Sequence, residues 1–137
     1  MREPLAAGQV VAVIGGSGAI GAAISKHFAR AGATCLVTYN RGERAAREVI
    51  ASLPGSGHWA RHVPVEDSAA LAACAVEVAE RHGGLDVLVN CAGITRFVPH
   101  ADLDALDHDL IDDIMRVNGR GTFAAVASFR RSRAQAT

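Results

Sequence analysis

The chain has 137 residues, half of them apolar, and its 14 Lys and Arg balance 14 Asp and Glu to a net charge of zero. That length suits one domain with a real core, and the even balance leaves no basic face for nucleic acid. No apolar run reaches transmembrane length, and Arg2-Glu3-Pro4 carries no secretory apolar core, so a cytoplasmic protein with no membrane contact is expected. Cys35, Cys74 and Cys91 are odd in number and lack C-x-x-C spacing, which points to reduced, mostly buried thiols.

Residues 1–8 read as an N-terminal tail. Val10–Ile14 is an apolar, β-branched run and predicts the first strand. The glycine cluster Gly15-Gly16-Ser17-Gly18 follows at once. A helix is predicted over 19–31, with Ile20, Ala23, Ile24 and Phe28 at the i, i+3, i+4 spacing of a core face, and Gly32-Ala33 ends it. Thr34–Tyr39 is the second strand. Residues 41–53 read as a helix stopped by Pro54-Gly55, and 58–65 as a weaker, more polar third strand. Asp67-Ser68 caps a helix carrying Leu71, Ala75, Val78 and Ala79, which Gly83-Gly84 terminates. Residues 85–90 predict the fourth strand and 91–101 a loop. A last helix runs from near Leu103 to at least Phe129, kinked at Gly119 or Gly121. The acids Asp102, Asp104, Asp107, Asp109, Asp112 and Asp113 fit a solvated helix start, where negative charge suits the dipole. Apolar periodicity then stops. This leaves 9–129 as the folded unit and 130–137 as an irregular basic tail.

Strands alternating with helices predict an α/β fold, a doubly wound, Rossmann-like parallel sheet. Right-handed crossovers give strand order 3-2-1-4, truncated before a fifth strand. Ligands of such sheets lie at the carboxyl ends of strands one and four, where the winding reverses. Two loops meet there, 15–21 and 90–93. Gly16-Ser17-Gly18-Ala19-Ile20-Gly21 fits G-x-G-x-x-G between a strand and a helix, the context in which backbone N–H groups and a helix N-terminus hold a pyrophosphate. A dinucleotide is the expected partner.

With both loops in view, the chain resembles the short-chain dehydrogenase/reductase family over about residues 9–127. The family's Thr-Gly-x-x-x-Gly-x-Gly lays onto 14–21, where Gly15 and Gly21 match, Ile14 and Ala19 depart, and Gly18 partly compensates. Leu85-Asp86-Val87-Leu88-Val89-Asn90-Cys91-Ala92-Gly93 looks like the family's Leu-Asp-x-Leu-Val-Asn-Asn-Ala-Gly, with Cys91 in place of the second Asn. The resemblance implies that Gly15, Ser17, Gly18, Ile20 and Gly21 hold the cofactor from one side and Asn90, Ala92 and Gly93 from the other. It also implies that Asn90 ties neighbouring strands together. Val117-Asn118 matches the family's Val-Asn, so Asn118 is expected to break the helix locally and hold a water of a proton relay.

Two departures bear on the cofactor. Pro64 stands where the family commonly has an Asp for the adenine amine, which leaves the Val65 backbone, Glu66 or no adenine contact at all. The tip of strand two, Thr38-Tyr39-Asn40-Arg41, carries no acid for a ribose hydroxyl, and Arg41 can meet a 2′-phosphate. NADP(H) is therefore favoured over NAD(H), with Asn40 and Arg41 on the adenosine side.

The family's reaction interconverts alcohols and carbonyls, using a Ser and a Tyr-x-x-x-Lys. A fixed cation is needed to hold tyrosinate near neutral pH. This sequence has one tyrosine, Tyr39, and one lysine, Lys26, in the wrong order. Asn118 alone of the family set is present. The 137 residues are expected to bind cofactor without turning over substrate, as a truncated, frameshifted or partial product. A non-catalytic nucleotide-binding or interaction module is the alternative. His58 and His62 read as surface histidines, and no metal-ligand spacing stands out. Strand four becomes an edge, and Ile111, Ile114, Val117, Phe123 and Val126 lose packing surface. Marginal stability and self-association through the last helix or that edge are expected.

Overall fold

The computed structural model describes residues 6–130. Its strands β1 (Val10–Ile14), β2 (Thr34–Tyr39), β3 (Trp59–His62) and β4 (Val87–Asn90) form one parallel sheet in the order β3-β2-β1-β4. Val13 stands opposite Val37 on one side and Val89 on the other, and Ile14 opposite Asn90. This is the predicted doubly wound start, and its reversal point falls between β1 and β4.

β1 is buried along its whole length. Its side chains alternate between two cores. Val10, Ala12 and Ile14 face Leu71, Cys74 and Val78 of α3 (Ser68–His82) and Ala125 and Phe129 of α5 (Thr122–Arg130). Val11 and Val13 face Ala29 of α1 (Ala19–Arg30) and, more peripherally, Val49 and Ile50 of α2 (Glu43–Ser52). Each fully buried valine contributes about 1.5–3 kcal/mol by its burial. The exposed helix pairs Arg44–Glu48 and Arg47–Glu43 contribute little beside that.

Several boundaries differ from expectation. The buried face of α1 is Gly21, Ser25 and Ala29, with Ile24 and Phe28 partly buried, whereas Ile20 and Ala23 point away from the core. Close approach decides this: a Cβ on Gly21 would lie 2.6 Å from Gly16 Cα, so only a glycine brings the helix onto the turn. α2 begins at Glu43, because Arg41 and Gly42 form the turn after β2. β3 stops at His62, although the Val63 N–H still reaches Tyr39 O. β4 begins at Val87. Asp86 ahead of it exchanges backbone and carboxylate hydrogen bonds with Val10.

His58 is half-buried and bonded rather than free on the surface. Its Nδ1 accepts the Cys35 N–H at 3.0 Å and its Nε2 lies 2.8 Å from Pro54 O, so the ring ties the loop after α2 to β2. The expected tail is packed in part: Ala6 is buried and the Gly8 N–H bonds Gly32 O. The expected basic tail falls outside the described residues apart from Arg130, which closes α5.

The last helix is not one piece. A short 3-10 turn at Leu103–Ala105 comes first, capped by Asp102, and α4 (His108–Ile114) starts separately under Asp107. Two aspartates each accept a backbone N–H three residues on, which makes two helix starts rather than one. A π-helical segment, Met115–Gly121, then links α4 to α5. The kink expected near Gly119 or Gly121 takes this form. No helix of the described residues is long and apolar enough to cross a membrane.

Candidate functional site

The two loops at the reversal point are in backbone contact. Gly15 has φ +71°, and a Cβ there would lie 2.8 Å from the N and Cα of Ala92. The left-handed conformation and the close approach both demand glycine at this position. The Cys91 N–H donates to Ile14 O at 2.8 Å and carries the β1–β4 pairing up to the contact.

The glycine turn is fixed from β2. Gly15 N–H donates to Thr38 Oγ1 at 3.1 Å and Gly16 N–H to Thr38 O at 3.0 Å. Thr38 is fully buried, one of two buried polar side chains among the described residues. Sequence reasoning missed it as part of the site. The signal was a threonine in the last apolar turn of β2, one residue beyond the Val13–Val37 pairing.

Gly18 is the N-cap of α1, with extended backbone and no side-chain cap, and the first turn carries no acid. The nearest heavy atom to a Cβ on Gly18 is Gly15 O at 3.8 Å, so the space before the helix is open. Backbone donors of the first helical turn face this space without a competing side chain, which is the arrangement an anion can use. Ser17 lies beside the turn after β2: a Cβ on Gly42 would be 3.1 Å from Ser17 Oγ. Ile20 is 73% exposed next to this space. Asn40 and Arg41 are exposed at the end of β2, and Arg41 makes no ion pair among the described residues, whereas Arg44 and Arg47 are paired along α2.

On the other side of the crevice, Asn90 does not bridge strands through its side chain. Its Nδ2 donates to Thr122 Oγ1 at 2.6 Å, and its Oδ1 accepts the Ala92 N–H at 3.4 Å. It ties β4 to the start of α5. Asn118 lies in the π-helical segment, as a local break of the helix requires, but its amide neither bonds its own helix nor stands free. Oδ1 accepts the Ile94 N–H at 2.8 Å, and Nδ2 donates to Ile94 O at 2.9 Å. The Asn118 carbonyl accepts the Thr122 hydroxyl at 2.6 Å. A Cβ on Gly93 would come within 3.3 Å of Asn118 Oδ1, so the loop and the helix pack closely.

Val65 is buried against the same segment, since a Cβ on Gly121 would lie 2.7 Å from Val65 Cγ2. Val117 is buried too, so its packing surface is not lost. The structure thus brings Gly15 to Ala92, Ser17 to the β2 turn, and Gly93 to Asn118. It leaves Asn40 and Arg41 at the rim. No group of three ligating side chains that could hold a metal occurs among the described residues.

The sequence model of the short chain dehydrogenase family matches residues 9–135. A short-chain dehydrogenase/reductase homolog of Bacillus subtilis, YusS, is 32% identical over 104 residues, which cover 74% of this chain and 95% of that protein. D-threitol dehydrogenase of Mycolicibacterium smegmatis is 34% identical over 118 residues, 85% of this chain and 44% of the relative. The crystal structure of a short chain dehydrogenase from Burkholderia cenocepacia in complex with NADP superposes with a TM-score of 0.83 at 38% identity, covering 92% of this chain and 51% of that one. The chain thus spans about half the length of the last two and nearly all of the first.

Proposed function

Because the chain belongs to the short-chain dehydrogenase family, we propose that it is the cofactor-binding half of an oxidoreductase acting on alcohols or carbonyls. A nicotinamide dinucleotide lies across the carboxyl ends of β1 and β4 in this reading, and when bound it supplies or accepts the hydride. The observation that carries the proposal is the Gly15–Ala92 contact: two loops without bulky side chains meet beside an uncapped helix start. The pyrophosphate is held by the turn of Gly15, Ser17, Gly18 and Gly21, with Ile20 flanking it. Asn90, Ala92 and Gly93 receive the nicotinamide ribose, Asn118 fixes that loop, and the Val65 backbone borders the adenine.

Arg41 supports NADP(H) over NAD(H). It is an exposed, unpaired guanidinium at the end of a strand that has no acid, which suits a 2′-phosphate. The 137 residues hold one tyrosine and one lysine, Tyr39 and Lys26, both in the first βαβ unit, so this stretch does not supply the family's proton donor. By itself it binds cofactor without reducing a ketone. The exposed apolar side chains of the loop after β4 and of α5 support self-association.

Titration with NADPH and NADH, followed by nicotinamide fluorescence, tests this. Trp59 is a poor reporter because it opens β3, at the opposite end of the sheet from the crevice. Saturation by NADPH is expected, weakened about tenfold by Arg41→Ala as a charge-assisted contact is lost, with NADH unaffected. Saturation by neither dinucleotide overturns the binding reading. Equal loss for both overturns the assignment of Arg41.

A further inference from the structure

Thr122 connects the two asparagines of the crevice. Its Oγ1 accepts from Asn90 Nδ2 at 2.6 Å and donates to the Asn118 carbonyl at 2.6 Å. Asn90 in turn accepts the Ala92 N–H, and Asn118 grips both backbone groups of Ile94. The loop after β4 is therefore anchored at two points, Ala92 and Ile94, and one hydroxyl joins the anchors. The π-helical segment makes this possible. Thr122 is the residue where regular α-helix resumes, and its own N–H turns to Gly119 O, while the hydroxyl takes Asn118 O.

A hydroxyl is suited to this place because it accepts and donates at once. Replacing it by a methyl takes the acceptor from the part-buried Asn90 amide, and that costs more than losing an exposed hydrogen bond.

The geometry points to Thr122 as a positioning residue, whose hydroxyl holds Asn90 and Asn118 in register and thereby sets the placement of Ala92 and Gly93 opposite the glycine turn. This rests on the proposed cofactor site for its functional consequence, though not for the loop placement itself.

The test compares Thr122→Val, which keeps the shape, with Thr122→Ser, which keeps the hydroxyl, in the full chain. Amide hydrogen exchange at Ala92 and Ile94 reads the loop, and NADPH titration reads the site. In Thr122→Val, exchange at both amides is expected to speed up about tenfold and NADPH affinity to fall about tenfold, with Thr122→Ser within about twofold of the parent in both. Thermal unfolding of the two variants checks that each is folded, and if Thr122→Val does not fold, Asn90→Ala reaches the same hydroxyl from its other partner, read at the Ile94 amide because the variant removes the Ala92 acceptor itself. Unchanged exchange in Thr122→Val, or in Asn90→Ala where that stands in for it, overturns the proposal. So does failure of serine to restore either readout. Faster exchange with undiminished NADPH affinity overturns the link to the cofactor. If the parent chain binds neither NADPH nor NADH, the functional reading fails, and the exchange data still decide whether Thr122 places the loop.

Discussion

Gly15 and Gly18 stand three residues apart and answer to different constraints. Gly15 is held by φ +71° and by the backbone of Ala92 at 2.8 Å from a Cβ, so Gly15→Ala is expected to cost at least about 2 kcal/mol of stability in a denaturant titration and to abolish dinucleotide binding. Gly18 has room and ordinary dihedrals. Gly18→Asp adds an N-cap and a charge that suits the helix dipole, a gain of about 0.3–1 kcal/mol, while placing a carboxylate where the pyrophosphate is proposed to lie. A more stable chain that no longer saturates with NADPH is the expected pairing, and retained affinity in Gly18→Asp would contradict the site. The thiols divide in the same residue-by-residue way. Burial pushes Cys35 up to about 11, and burial together with the nearby Glu77 carboxylate pushes Cys74 to about 12. Cys91 is only half-buried beside the crevice. Iodoacetamide at pH 8 is expected to modify one thiol of the native chain, Cys91, and all three after denaturation, as counted by mass spectrometry. At this scale the glycines and the Asn90 loop were legible because their spacing is local. Thr38, Thr122 and Ile94 were not, since their partners lie 23 to 32 residues away and only the folded chain brings them together.

Among the elements, β1, β2 and α3 follow their sequence signals closely, because β-branched runs, a capping aspartate and the terminal Gly83 each act within a few residues. The region after β4 obeys longer-range terms. Its cluster of acids marks helix starts correctly in kind, but not that Asp102 and Asp107 begin separate turns. Asp107 accepts the Leu110 N–H, which holds its carboxyl below the usual range, and Arg96 adds to that. A depressed native value means the contribution is present above the ordinary carboxylate value of about 3.9 and is lost as pH falls through the lower native one. The first turn of α4 is therefore expected to loosen in acid, seen as faster exchange of the Leu110 amide. Asp107→Asn, which keeps an acceptor without the titration, should flatten that response. An unchanged acid response in Asp107→Asn would assign it to another group.

For the molecule as a whole, strand order and the two-layer burial of β1 were legible from the strand–helix alternation together with the right-handed crossover rule. What covers its outer surfaces was not, because exposure depends on what packs there. β4 is an edge of the described sheet, and Phe97, Leu103 and Phe123 are 91%, 75% and 75% exposed. Such apolar exposure beside an open strand favours association. Sedimentation velocity is expected to give a coefficient that rises with concentration, and Phe123→Glu is expected to lower it; a concentration-independent monomer would contradict the proposed self-association. The sheet also carries a kinetic consequence. β1 pairs with β2 across 24 residues, as Val10 with Thr34, but with β4 across 76, as Val11 with Val87. The pairing that brings Ala92 to Gly15 closes the longest loop in the sheet, the closure that costs the most chain entropy. A ligand at the proposed site is expected to grip contacts made after the folding barrier, which refolding and unfolding rates with and without NADPH check. Its stabilisation therefore appears as slower unfolding, with the rate of folding left nearly as it was.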